Sequence, residues 1–326
     1  MKKSRGLQIA GVLMLSLAAL LASCGGGGTD TSRSGGTDAT LTASNAAQVG
    51  DSVIQAAKLV APTAALGQVK TADVSADRKP VVLNIFQTIL PVVRDQQGNS
   101  KGSSALKTQP CPSGDIELTS VSLQDLSGNV TADVNVNNCT VETATMNGSL
   151  EVTFPASAIS DPQHVSEFTI TTSNLTYSDS VTNDAVTLSD NFTMKFENIS
   201  YSGNTVTGGT VTMGGSVTGT IDNEPINVEC DSFGVRFNSP DTTGINVWVS
   251  GRISAQCIGG WVTMSTNTPI FFPLSGTCPT NGEVVVTANG STMTMDIAAN
   301  ESITIYLNGT VINTYSDCNK VKGFCS

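Results

Sequence analysis

The chain has 326 residues, of which 27 are acidic and 16 are Lys or Arg, so its formal net charge at neutral pH is −11. This acidic balance argues against nucleic acid and anionic lipid surfaces as electrostatic partners, because both are bound by clustered Lys and Arg. Apolar residues make up 39% of the chain and recur along most of its length. That composition indicates a folded body with a substantial core rather than a disordered chain.

Residues 1–23 have the features of a secretory signal peptide. Lys2, Lys3 and Arg5 precede an apolar run that extends from Leu7 to Leu21. The run is too short, and wrongly flanked, to form a stable membrane span. We therefore expect this segment to direct export and to be removed.

The end of the apolar run reads Leu21-Ala22-Ser23-Cys24, which resembles the lipobox of bacterial lipoproteins. The resemblance implies that Cys24 becomes the first mature residue and carries lipid on its sulfur and its amine, which anchors the protein to a membrane. In such lipoproteins an Asp after the cysteine favours the inner membrane, and this chain has Gly25. We expect an outer-membrane protein, in a leaflet that the sequence leaves open. An ordinary secretory signal that happens to end near a cysteine is the alternative.

Two segments separate the anchor from the main body. Residues 24–43 are rich in Gly, Ser and Thr without hydrophobic periodicity, which predicts a flexible tether. Residues 44–109 are predicted to form a helical segment followed by a polar, turn-rich linker over 95–109. This organisation would let a folded body stand off the bilayer.

One or two helices are predicted in the helical segment. Ser44 or Asn45 would cap a first helix that begins at Ala46 and that Pro62 ends. A second helix is predicted over 81–93, where apolar residues follow one stripe and a proline near the end would shorten or kink it. Both apolar stripes are expected to pack on a neighbouring sheet.

Residues 110–318 change to the alternation of apolar and polar residues that is typical of half-buried strands, as over 130–136. The spacing of turn residues predicts about 16 strands, almost all antiparallel because the connections are too short for crossover helices. The predicted fold is mainly β, with one or more large antiparallel sheets that form a curved sheet or a sandwich. Residues 319–326 form a C-terminal tail. One or two β-domains both remain possible.

Gly-containing pairs mark the predicted turns. Asn147-Gly148, Asn289-Gly290 and Asn308-Gly309 each interrupt alternating runs and predict hairpin turns. The glycine-rich stretch over 206–221 is interpreted as two or three short strands joined by glycine turns, because its short repeat is not sustained as a solenoid requires.

The cysteines after the anchor predict disulfides, as expected in an exported chain. Cys111 and Cys139 stand by themselves in the first part of the β-region and are the predicted pair. Among the others, Cys278 with Cys318 and Cys318 with Cys325 are both possible, and the sequence does not decide the partners of Cys230 and Cys257. No Cys-x-x-Cys motif occurs and His164 is the only histidine, so we expect no metal site and no cofactor.

Several segments resemble the Gly/Thr-rich β-module of bacterial cell-envelope lipoproteins. They are Cys111-Pro112-Ser113-Gly114, Asn138-Cys139, Met146-Asn147-Gly148-Ser149, and the stretches 260–269, 279–287 and 303–308. The resemblance covers residues 110–316 and implies a β-fold but no activity. Relatives tend to place Asp-Gly-Asp-Gly near the end, where this chain has Asn308-Gly309 and Asp317, so a calcium site is not expected there.

Two short patterns of serine enzymes occur and are interpreted as coincidence. The first, Gly98-x-Ser100-x-Gly102, matches a nucleophile elbow, but no strand precedes it, no helix follows it, and His164 is the available base. The second combines Ser104-x-x-Lys107 with 189–191, but lacks the third element of serine-lysine acyltransferases. His164 is expected to be an exposed structural residue in a loop.

Carboxylates and aromatic residues give two further candidate sites. Glu229 and Asp231 are two apart in a strand and would share a face, and Asp222 and Glu224 are near each other in sequence. A glycosidase, however, needs carboxylates that converge across a cleft. We therefore expect both pairs of carboxylates to lie on solvent-exposed faces of the sheet. Four aromatic side chains are candidates for a sugar-stacking platform or, equally, for core and rim positions: Tyr177, Tyr201, Trp248 and Trp261.

These observations favour a lipid-anchored β-domain of the outer membrane with a structural or interaction role and no enzymatic activity. The alternative is a carrier for a lipid or another apolar ligand, in which a curved sheet encloses a cavity and the N-terminal helices plug it. An envelope hydrolase is the third hypothesis. The identity of a protein partner or an apolar ligand is not readable from the sequence.

Overall fold

The structure is a computed structural model. It describes residues 36–50, 108–110, 113–124, 128–141, 144–161, 164–180, 185–203, 205–221, 224–239, 243–255, 258–273 and 278–320. Of the predicted elements, the signal peptide, the second helix and residues 95–107 of the polar linker lie outside these residues. Thr108 and Gln109, at the end of the predicted linker, belong to the first strand instead. None of the described helices is long and apolar enough to cross a membrane.

The described residues form one large antiparallel sheet, as predicted. Its 15 strands are β1 Thr108–Pro110, β2 Ser113–Gln124, β3 Asn129–Val141, β4 Ala144–Pro155, β5 Phe168–Asp179, β6 Ala185–Leu188, β7 Thr193–Ser202, β8 Thr205–Ile221, β9 Glu224–Asn238, β10 Gly244–Ala255, β11 Gly260–Pro273, β12 Asn281–Ala288, β13 Ser291–Ile297, β14 Ile303–Leu307 and β15 Thr310–Tyr315. Short 3₁₀ turns follow β4 at Ala156–Ile159 and β15 at Cys318–Lys320.

Nearly every strand pairs with its neighbours in sequence, so the sheet is an up-and-down meander. The exception is one sheet position that β6 and β7 share. The first half of β5 pairs with β7 and its second half with β6, while β8 runs along both. Between β6 and β7 the chain makes a short kink over 189–192.

Alternating residues of the strands bury one face of the sheet, as the period-two pattern predicted. In β3 the side chains of Val130, Ala132, Val134 and Val136 are buried, and buried residues of all the long strands belong to one apolar cluster. The opposite, outer face carries Thr, Ser and Asn, some of which bond across strands, such as Thr131 to Thr153 at 3.1 Å.

Bulges shift the register between several strand pairs, and one of them replaces a predicted turn. Asn147-Gly148 is not a hairpin turn but lies inside β4, where the register with β5 shifts. Gly148 has φ +136°, and a Cβ there would lie 2.5 Å from the carbonyl oxygen of Asn174, which is itself left-handed at φ +50°. Glycine is needed because the neighbouring backbone occupies the space of a side chain.

The glycine-rich stretch also differs from its prediction. Instead of two or three short strands, it forms the single strand β8 of 17 residues. Its glycines do not turn the chain, because β6, β7 and β9 hold it on both sides. Gly215 marks a bulge there, with φ +117°, where a Cβ would lie 2.9 Å from the Cα of Phe192.

The first helix, α1, occupies residues 43–50 and begins three residues earlier than predicted. Thr42 is the cap: its backbone N–H donates to Asn45 Oδ1 at 2.6 Å, and the Asn45 N–H donates to Thr42 Oγ1 at 3.4 Å. These two hydrogen bonds satisfy backbone N–H groups at the start of the helix. Asn45 therefore contributes to the cap from inside the helix and does not precede it. Ala46 and Val49 are fully buried, and Gly50 lies against Ile305 of β14. The first helix therefore packs on the sheet, as predicted.

Candidate functional site

The segment before α1 is bonded to the edge of β11 that is left free near its start. The Ala39 N–H donates to the Trp261 carbonyl at 2.9 Å, and the Trp261 N–H donates to the Thr37 carbonyl at 3.2 Å. Asp38 and Trp261 thereby form a parallel bridge. Residues 36–42, which belong to the predicted tether, are thus part of the folded body.

The Arg252 side chain, on the outer face of β10, holds this segment in place. Its guanidinium lies 3.2 Å from the Asp38 carboxylate and 3.5 Å from the Asp231 carboxylate, and it covers the Trp261 ring at 5.0 Å. The ion pairs are about half exposed, and each such pair contributes about 0.2–1 kcal/mol. Trp261 is buried beneath Arg252 and Gly36. We call Asp38, Asp231, Arg252 and Trp261 the entry clip.

The entry clip lies at one end of the sheet, which follows from the strand directions. Because successive strands run in opposite directions, their connections alternate between two ends. Ile258 and Gly259, which precede β11, lie at the same end as the turns Asn289-Gly290 and Asn308-Gly309. We call this the entry end. The opposite, far end carries the described residues 156–161, 164–167, 278–280 and 298–302.

His164 lies in the far-end loop before β5 and is exposed, as expected. Its Nδ1 is 3.0 Å from the Asp161 carboxylate and its Nε2 is 3.1 Å from the Gly203 carbonyl oxygen. The ring meets Tyr201 edge-on at 5.2 Å, and the Tyr201 hydroxyl donates to the Val165 carbonyl at 2.8 Å. Burial, and secondarily the charge of Asp161, raises the pKa of Tyr201 to about 12. These contacts tie the loop to the turn after β7.

The residues of the two serine-enzyme patterns are separated or lie outside the described part of the chain. Ser100, Ser104 and Lys107 lie outside it. Ser189 follows β6, where its hydroxyl accepts from the Ser216 N–H at 3.1 Å and its carbonyl accepts from the Thr172 hydroxyl at 3.0 Å. Ser189 therefore shapes the kink between β6 and β7.

The carboxylates of β9 share the outer face, as expected, because the residue between them, Cys230, is buried on the inner face. Asp231 belongs to the entry clip. Glu229 lies between Ser216 of β8 and Ser254 of β10 in the ladders. No second carboxylate therefore stands directly opposite Glu229. Asp222 and the side chain of Glu224 lie outside the described part.

The four aromatic candidates do not form one platform. Tyr177 is buried in the core, and Tyr201 lies at the far end. Trp248 is on the outer face, where the Arg236 guanidinium covers its ring at 4.1 Å. Trp261 is buried in the entry clip. Each indole thus has an arginine over one ring face, the position a sugar ring would need.

The structure shows one of the disulfides that the sequence left undecided. Cys278 and Cys318 form a disulfide at the far end, with an S–S distance of 2.01 Å. Cys139 is disulfide-bonded; Cys111 lies outside the described residues, so this pairing stays a prediction. Cys230 is a buried free thiol whose pKa is raised to about 12, first by burial and then by the charge of Glu229. Cys24, Cys257 and Cys325 lie outside the described part.

Within the described ranges, no group of three or more His, Cys, Asp or Glu residues is placed to hold a metal ion. No family model matches the chain, and neither a curated protein nor a solved structure is significantly similar to it.

Proposed function

We propose that the chain is a lipid-anchored β-domain of the outer membrane, held through Cys24, which acts as a structural or interaction surface rather than as an enzyme. The observation that carries the proposal is the lipobox-like Leu21-Ala22-Ser23-Cys24 after a basic and apolar N-terminal segment. The hydrogen-bonded segment before α1 supports it, because Gly36, the first residue that the structure describes, follows Cys24 by 12 residues. A body fixed so soon after the anchor would stay close to its membrane.

The contacts of the polar candidates support a non-enzymatic role. His164, Asp231 and Ser189 belong to three separate places in the fold, and each of them holds one segment of the chain to another. Catalysis by such groups requires that they converge on one reacting atom. Their roles in this sheet are those of positioning and stabilising contacts.

Replacement of Cys24 by alanine is expected to abolish incorporation of labelled palmitate and to release the protein from envelope fractions, because the thioether to the lipid cannot form. The measurement is radiolabel incorporation together with flotation of membranes. Cys230→Ala is the matched control and should retain both label and flotation, since this buried thiol lies in the core. A Cys24→Ala protein that still takes up label or still floats with membranes would contradict the anchor.

The alternative, a carrier for an apolar ligand, is favoured by the one-sided sheet with α1 on its inner, apolar face. Native mass spectrometry of the purified protein distinguishes the two roles. For a structural or interaction surface we expect the mass of the polypeptide with its acyl groups alone. A further, stoichiometric mass that is lost on mild activation and identified as a lipid would favour the carrier.

A further inference from the structure

We infer that His164 forms a pH-dependent latch at the far end of the sheet, which is closed when the imidazole ring is protonated and open when the ring is neutral. The latch consists of the His164 ring, the Asp161 carboxylate and the Gly203 carbonyl, and it ties segment 164–167 to the turn after β7. This inference does not depend on the proposed anchor at Cys24. It adds a conformational response to the fold.

Both ring nitrogens of His164 face hydrogen-bond acceptors. Nδ1 lies 3.1 and 3.0 Å from the two carboxylate oxygens of Asp161, and Nε2 lies 3.1 Å from the carbonyl oxygen of Gly203. An ionised carboxylate and a carbonyl accept hydrogen bonds but cannot donate them, and a neutral imidazole carries only one N–H. The imidazolium carries two. Only the protonated ring therefore satisfies both contacts.

Loss of one proton breaks one of the two contacts. A hydrogen bond to a carboxylate is charge-assisted and stronger than one to a carbonyl, so we expect the remaining proton to stay on Nδ1, toward Asp161. Nε2 then presents a lone pair to the Gly203 oxygen, 3.1 Å away, and the contact becomes repulsive. The ring therefore leaves Gly203 as the pH rises, and the latch is closed on the acidic side of the titration.

Two further contacts hold segment 164–167 along the second half of β7. The Ile199 N–H donates to the Ser166 carbonyl at 2.9 Å, and the Tyr201 hydroxyl donates to the Val165 carbonyl at 2.8 Å. Neither contact changes near neutral pH, because backbone groups do not titrate and burial, the largest cause, raises the pKa of Tyr201 to about 12. The latch lies at the end of this row of contacts. Its opening loosens the segment from that end, while the other two contacts keep the segment on the sheet.

The titratable groups around the ring are Asp161, from the residues before it, and Tyr201 of β7, whose ring meets the imidazole edge-on at 5.2 Å. Farther along the segment is Glu167, whose charge acts on Lys195 of β7. Histidine is the side chain that ordinarily titrates between about pH 5 and pH 8. His164 is the one histidine of the chain, so a response of these contacts in that range is assigned to it.

The test follows the exchange of the Ile199 amide hydrogen by NMR in the purified full-length protein. This N–H exchanges when segment 164–167 separates from β7, and a closed latch makes the separation rarer. His164 is exposed, so we expect a modest effect: a fall of about threefold in the protection factor between about pH 5 and pH 8. The protection factor already corrects for the intrinsic pH dependence of exchange. At the entry end, the Asn308 N–H donates to the Thr292 carbonyl at 2.8 Å, and its protection factor should stay the same.

His164→Gln is the matched control, since its side-chain amide supplies an N–H in place of Nε2 and does not titrate. The protection factor of Ile199 should be as high in this variant at the higher pH as at the lower pH. In His164→Ala it should be low at both. A wild-type protection factor that is the same at the two pH values overturns the latch, and so does a fall in His164→Gln as large as in the wild type.

The ring-nitrogen NMR signals give a test that needs no variant. Because the chain has one histidine, these signals come from His164. We expect protons on both nitrogens at about pH 5 and on Nδ1 only at about pH 8. A neutral ring that keeps its proton on Nε2 would still bind the Gly203 carbonyl, and that result overturns the proposal.

Discussion

Replacement of Phe192 by alanine is expected to lower the free energy of unfolding by about 3–5 kcal/mol. Phe192 is completely buried and lies at the kink where β6 ends and β7 begins. Its backbone carbonyl accepts from the Thr172 N–H at 2.9 Å, and the Thr172 carbonyl accepts from the Asn191 N–H at 2.8 Å. The ring fills the space beside Gly215 in β8. Removal of the ring would leave a cavity that this bonded backbone cannot collapse to fill.

The measurement is urea unfolding followed by the fluorescence of Trp248 and Trp261, which are the tryptophans of the chain. Phe196→Ala is the matched control, since Phe196 lies in β7 and stacks on Phe168 at 4.3 Å but is only partly buried. Its loss is expected to cost less, because part of the ring already contacts solvent. An effect of Phe192→Ala no larger than that of the control would contradict the role of Phe192 at the kink.

Removal of the disulfide by the double substitution Cys278→Ala and Cys318→Ala is expected to lower the free energy of unfolding by about 4 kcal/mol. The two cysteines are 40 residues apart in sequence, and the bond restricts the unfolded chain over that distance. The enclosed chain contains β12 to β15. Both sulfurs are buried, so the alanines also lose some packing. The midpoint of urea unfolding under oxidising conditions is the measurement.

Cys230→Ala serves as the control for this prediction as well. It removes a buried thiol without removing a cross-link, and we expect a change of about 1 kcal/mol from the lost sulfur contacts. The midpoint of urea unfolding should therefore be well lower for the double variant than for Cys230→Ala. Equal midpoints for the two proteins would show that the cross-link contributes little beyond the packing of its sulfur atoms.

The strands and some turns were predictable because their signals are local. The alternation of apolar and polar residues over 130–136 predicted both the strand β3 and the face of it that is buried. The pairs Asn289-Gly290 and Asn308-Gly309 are the hairpin turns between β12 and β13 and between β14 and β15. In both turns the Asn-Gly pair that predicts the turn also adopts the backbone conformation of the turn. Asn289 and Asn308 are left-handed, and each is followed by a left-handed glycine.

The bulges were not predictable, because an Asn-Gly pair occurs both in hairpin turns and in bulges within a strand. Asn147-Gly148 has the composition of a hairpin turn, but its left-handed partner Asn174 lies across the ladder in β5. The glycines of β8 are likewise typical of turns. Only the pairing of β8 with β6, β7 and β9 shows that the chain continues there as one strand. Sequence alternation reports which face a residue occupies and does not report the strand beside it.

The entry clip was also hidden from sequence reasoning. Arg252 and Asp38 are 214 residues apart, and no motif links them. The signal that exists is in β10, where Arg252 is the one charged residue of the strand. Its partners, Asp38 and Asp231, become apparent only when the sheet has formed.

The meander has a consequence for biogenesis. Strands that pair with their immediate successors can form in turn during synthesis of the chain, since each hairpin closes over a short stretch and does not wait for distant sequence. The bridge between Asp38 and Trp261 is different, because it joins the first described residues to a strand made much later. Residues 36–42 would thus stay unattached until β11 had been synthesised, whereas the strands before β11 could already have paired.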